Sequence, residues 1–141
     1  MIGLALILTA SPAAAWEFSP LPICTLSHAT ETAEVTVTYD PVLPEPYAIA
    51  ITRDTPWPDA PVFAMRFDGP AGLSISTDRH VVTDEGRTLT VTDRGFGNVL
   101  NGLEFNSIAT AGAGGEQARF PLGNAAPEVR KFRDCTEGGI A

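Results

Sequence analysis

Basic residues are few: one lysine, Lys131, and eight arginines scattered along 141 residues. Seventeen acidic residues leave a formal net charge of −8. A surface of that sign repels phosphate backbones and anionic lipid heads, so nucleic acid is not an expected partner. Long apolar runs are missing as well. The longest, residues 2–10, contains a Gly and a Thr and falls far short of the roughly 20 residues a membrane-spanning helix needs. Glu17, Pro20 and Pro22 prevent its extension, so no membrane span is expected.

Cysteine and histidine are scarcer still, with two of each. No Cys-x-x-Cys occurs, which argues against a redox centre. Cys24 lies near the start of the chain and Cys135 near its end. In an oxidising compartment two cysteines allow one intramolecular pairing, and a structural Cys24–Cys135 disulfide is expected. That leaves His28 and His80, too few for the three or four converging ligands of a metal site, and no His-x-His or His-Glu-x-x-His spacing is present. The glycines at 112–115 lack the following Lys of a phosphate-binding loop, so they read as a flexible hairpin loop. Neither a metal nor a cofactor is implied.

What is present begins with a leader pattern. Residues 2–10 are followed by Ser11-Pro12 and then Ala13-Ala14-Ala15. An apolar stretch, a helix breaker and small residues at −3 and −1 are the layout of a signal peptide cut after Ala15. One element departs from that layout, since no Lys or Arg precedes the apolar stretch. Acylation of Cys24 is not expected, because the bulky Ile23 stands where acylated cysteines have a small residue. The chain therefore divides into a signal peptide at 1–15, a single β-rich domain at 16–135 and a flexible tail at 136–141. The expected location is the periplasm or the medium.

From residue 23 to 91 apolar and polar residues alternate, the signature of half-buried strands. Cys24, Leu26 and His28 share a parity, as do Val35, Val37 and Tyr39, then Phe63, Met65 and Phe67, then Leu73 and Ile75, then Leu89 and Val91. The intervening positions are largely Thr and Ser, which favour strands and hydrate well. Residues 47–52 are apolar on both parities, which predicts a central strand. Proline-rich loops at 40–46 and 55–61, and turns at 68–72 and 84–86, punctuate an antiparallel meander. Phe96, Val99, Leu100 and Leu103 fall on one face of a short helix near 96–103, weakened by Gly97 and Gly102. Two further strands are expected at 105–110 and 117–122, with Pro121 at an edge. A last helix near 125–134 starts after Asn124, a plausible N-cap, and carries Ala125, Val129, Phe132 and Cys135 as its buried stripe. The fold expected is mainly β, an antiparallel sandwich or partly closed barrel of about seven to nine short strands with two helices packed on it.

Phe96 to Leu103, then Phe120-Pro121-Leu122-Gly123-Asn124-Ala125-Ala126, then Phe132-Arg133-Asp134-Cys135, resemble the ending of small exported proteobacterial proteins of the invasion-associated locus B type. The resemblance covers less than a third of the chain. It implies a signal peptide ahead of a β-rich domain with a late strand, a small-residue turn and a terminal helix. It carries no catalytic residue.

Two candidate sites stand out. Asp78-Arg79-His80 and Asp93-Arg94 should meet at the open end of a hairpin formed by 80–83 and 87–92, where an Asp could orient His80 as a general base. No Ser or Cys nucleophile is visibly placed beside them. Trp57, between Pro56 and Pro58, is either a rigid loop anchor for a peptide or glycan or a cover over one end of the sandwich. The binding candidates are thus Trp57, Arg79, His80 and Arg94, and no residue is assigned as catalytic. The expected role is a non-enzymatic module that binds a periplasmic or envelope protein or another envelope component. The alternative is a small hydrolase or isomerase using Asp78, His80, Asp93 and Arg94. Processing is open to direct test. The exported form should begin at Trp16 by N-terminal sequencing and intact mass; retention of residues 1–15, or a lipid on Cys24, would contradict the leader assignment.

Overall fold

The computed structural model describes residues 15–138. All of the expected signal peptide except Ala15, and residues 139–141 of the expected tail, lie outside them. Within the described residues the alternating segments form ten antiparallel strands in two sheets, with two helices. Numbered along the chain, the first sheet has the order β1 (Glu17–Ser19), β2 (Cys24–Ala29), β3 (Ala33–Tyr39), β4 (Tyr47–Arg53), β8 (Thr88–Asp93), β7 (Val81–Thr83). The second has the order β10 (Glu116–Pro121), β9 (Ile108–Ala113), β5 (Phe63–Asp68), β6 (Leu73–Thr77). The sheets stack as an open sandwich and do not close into a barrel.

Parity governs the register. Leu26 faces Val37, Val37 faces Ile49 and Ile49 faces Val91. In the next row His28, Val35, Ile51 and Leu89 line up in the same way. Because the side-chain period of a strand is 2, these rows fall on one face, and most of their members are fully buried. β4, apolar on both parities, lies inside the sheet as its composition predicts. In the second sheet Phe63, Met65 and Phe67 sit opposite Ala113, Ala111 and Ala109. Large beside small is how facing layers interdigitate without voids.

Three features depart from the sequence reading. β1 is an additional strand, too short to show alternation, held against β2 through Phe18 opposite Leu26. β9 lies a few residues later than expected, running on through Ala113, because only Gly114 and Gly115 turn the chain, both at positive φ. That two-residue turn requires left-handed backbone at both positions, which glycine adopts without cost. The third departure is topological. The stretch from 23 to 91 is not one meander: after β4 the proline-rich loop carries the chain to the second sheet for β5 and β6, and β8 returns to pair with β4. Local alternation sets which face a residue takes but not which strand it pairs with.

Helix α1 (Gly97–Phe105) crosses from the end of β8 to β9, and α2 (Ala125–Thr136) follows β10. Gly102, expected to weaken α1, is what lets it dock, since a Cβ there would lie 2.4 Å from the Phe67 ring. On α2, Ala125, Val129 and Phe132 are buried and Cys135 is partly buried. Arg133 joins the helices by donating to Glu104 at 2.9 Å and to Asn101 at 2.7 Å. Asn124 precedes α2 but makes no side-chain cap; its Oδ1 instead accepts the Trp16 backbone N–H at 3.2 Å. Glu128 accepts the Phe18 N–H at 3.1 Å, and Trp16 Nε1 donates to the Pro121 carbonyl at 2.8 Å. The start of α2 therefore holds the N-terminal strand. Cys24 and Cys135 are bonded, with Cα atoms 6.0 Å apart and a sequence separation of 111.

Behind this junction His28 is buried, stacked on Trp16 at 4.8 Å and 7°, with the edge of Phe120 at 6.3 Å. Its Nδ1 has no hydrogen-bond partner among the described residues. Burial pushes its pKa below the usual imidazole value, and a hydrogen bond with the Ala15 backbone opposes that shift.

Two outcomes follow from this packing. Reduction, or a paired Cys24→Ser and Cys135→Ser change, should cost about 4–5 kcal/mol for so long a loop, and hydrogen exchange should show α2 opening before the strands. Equal protection of α2 with and without the bond would contradict the anchoring role. For His28 the folded pKa lies below the unfolded one, so stability should be level above about pH 6.5 and fall below it as the unfolded chain takes up the proton. Denaturant midpoints between about pH 5 and 8 should show that fall, and His28→Phe should remove it while keeping an aromatic ring in the stack. The same slope in the variant would contradict the assignment.

Candidate functional site

The sandwich is open along one side for a topological reason. β7 pairs with β8 only from Val81 opposite Thr90 to Thr83 opposite Thr88. Upstream of Val81 the chain turns away through residues 78–80 to reach Thr77 at the end of β6 in the other sheet. Val91 to Asp93 therefore have no neighbour on that side among the described residues, and β6 is likewise an outer strand. Between these two margins a cavity of about 560 Å³ enters the sandwich. Its walls are Ile49 and Val91 of the first sheet, Phe63, Met65 and Ile75 of the second, and Phe96 and Val99 at the start of α1. Pockets of ~300–1,000 Å³ with apolar walls and a few placed polar groups are the usual form of a small-ligand site.

The polar groups collect at the mouth: Ser76, Thr77 and Arg79 on one side, Thr92 and Asp93 on the other, and Asn98 of α1. Over them reaches Glu45, from the loop between β3 and β4. Its carboxylate accepts from the Arg79 guanidinium and, at 2.8 Å, from Thr92 Oγ1. These two bonds, Arg79 first, hold the Glu45 carboxyl below the usual carboxylate range, and Glu45 raises Arg79 in return. An ion pair exposed to water thus sits at the rim of the mouth.

The structure separates the candidate residues. Arg79 and Asp93 meet at this mouth. Asp78 and Arg94 are exposed and lie off the cavity wall; the Asp93 carboxylate accepts the Arg94 backbone N–H at 2.6 Å. His80 is half-buried, donates from Nε2 to the Ala60 carbonyl at 2.9 Å and leans on Phe63 at 6.3 Å. Its ring ties the crossover to the loop before β5 and makes no hydrogen bond to Asp78, so the Asp–His pair of the alternative, enzymatic reading does not form. Trp57 is 4% exposed, with Nε1 donating to the Ile51 carbonyl at 3.1 Å and its ring edge-on to Phe63. Arg53 covers its outer face, 4.8 Å from the ring centre. Of the two roles open to Trp57 from sequence, anchor or cover, its burial matches the cover, and it offers no exposed anchor.

Glu45 and Thr92 are the site residues that the sequence reading missed. An acidic residue pinned between Pro44 and Pro46 was the available signal, since two prolines restrict where its side chain can reach. Among the described residues no group of three His, Cys, Asp or Glu is arranged to hold a metal ion, and no helix is long and apolar enough to cross a membrane. Compared with protein-family models, curated proteins and solved structures, the chain matches none.

Proposed function

We propose that this chain is an exported, non-enzymatic binding module that takes a component of the cell envelope into the cavity between its sheets. The observation that carries the reading is the cavity itself, walled by core side chains and left open because β7 is too short to cover β8. A cavity of that size, with apolar walls and a few polar groups at its mouth, is the usual form of a small-ligand site. Two observations support export. Disulfides persist in oxidising compartments, and Cys24–Cys135 spans nearly the whole domain. In addition Ala15 is exposed while Trp16 is buried and hydrogen-bonded, so a cut between them leaves the anchored residue in place. The resemblance of the last third to invasion-associated locus B proteins agrees with an envelope setting.

Filling the cavity tests the reading. Ile75 lines it from an edge strand and is only half-buried, so Ile75→Trp has room to turn inward without disrupting the core. Oxidised protein recovered from its native envelope fraction and examined by native mass spectrometry should carry a bound species that the Ile75→Trp form lacks, at equal thermal stability. A species present equally on both forms, or on neither, would count against the cavity as the binding element.

A further inference from the structure

Glu45 does not line the cavity, yet its carboxylate bridges two residues that do. One carboxylate oxygen accepts from Arg79 and the other from Thr92, so the guanidinium and the hydroxyl converge as a receptor for a single carboxylate. That receptor stands where an apolar cavity meets water. Its present occupant belongs to the protein's own loop. We propose that the cavity takes a single-chain amphiphile, an acyl chain ending in a carboxylate, and that Glu45 is a built-in competitor for the head-group site.

The chemistry on each side of the mouth favours this occupant. Ile49, Met65, Ile75 and Val91 line the cavity with aliphatic groups for the chain, and Phe63 and Phe96 add two rings. An incoming carboxylate reproduces both hydrogen bonds of Glu45 and leaves the charge at Arg79 compensated. The displaced Glu45 loses little by moving into water, because the pair is exposed, at 58% for the Arg79 side chain and 32% for that of Glu45, and exposed ion pairs are weak. A cationic head would leave Glu45 in place and meet Asp93 at the same mouth, so it would gain nothing from Arg79 and Thr92. The net charge of −8 repels anions at longer range, so preference for a carboxylate has to come from Arg79 at contact.

This inference rests on the cavity being the binding element, and the experiment separates the two. The oxidised protein is titrated with laurate, dodecyltrimethylammonium and dodecyl maltoside below their micelle-forming concentrations, by calorimetry. Laurate should bind one to one and more tightly than the other two. Arg79→Gln should weaken laurate a few-fold, the worth of an exposed ion pair, and leave dodecyl maltoside unchanged. Glu45→Ala should tighten laurate several-fold, and Ile75→Trp should abolish binding of all three. Equal affinity for the three heads, or an unchanged laurate affinity in Glu45→Ala, overturns the carboxylate receptor while leaving the cavity reading intact. Binding that ignores Ile75→Trp, or no binding by either the wild type or Glu45→Ala, overturns both.

Discussion

The two ends of the domain are held at one place, and the Cys24–Cys135 bond is the constraint that joins them. It sits where β2 begins and α2 finishes, and α2 is the element that holds β1. Asn124 and Glu128 take the backbone N–H groups of Trp16 and Phe18, and the Trp16 ring stacks on His28, which meets the edge of Phe120. Without a docked α2 that layer loses its hydrogen-bond partners. Arg133 passes the same constraint to α1 through Glu104, whose side chain is 8% exposed. α1 in turn presses Gly102 onto Phe67 in the second sheet. A bond at the chain ends thus reaches the middle of the sandwich through helices rather than through strands.

The cavity meets this clamp only at the start of α1, which supplies part of its wall. Along the margin of β6 and β7 the chain crosses between the sheets only at 78–80, and the first residues of α1 wall the remaining side. That crossover has two jobs. His80 secures it to the loop before β5, and Arg79, one residue earlier, faces Glu45 across the mouth. Val81 and Val82, both exposed on β7, extend the apolar character of this margin to the outside. A short edge strand limits unwanted pairing between sheets of different molecules, and here its shortness also leaves the interior accessible.

The two candidate sites seen in the sequence fared differently for a common reason. Trp57 and His80 are large, partly polar rings that a covalently closed, tightly packed domain can use internally, and each spends its N–H on a backbone carbonyl. Arg79 and Asp93 are charged and stay in water, so they remain available at a surface. Glu45 joined them from another loop, 34 residues from Arg79 in sequence. No local pattern announces a contact of that separation, because loops place side chains by where their flanking strands lie in the sheet.

By itself the sequence determined the β class, the inward face of nearly every strand, the two helices and the cysteine pairing. Each depends on a periodicity or a count that is local or admits one solution: a period of 2 for strands, an i, i+3, i+4 face for helices, one pairing for two cysteines. Tertiary structure alone decided that β5 and β6 leave the first sheet, that β8 returns to β4, and that β7 ends after three residues. It therefore also decided that a cavity exists and that Arg79, Thr92 and Glu45 meet at its mouth. Strand partnership is set by pairing among distant segments and by the path of the connecting loops, and alternation is blind to both.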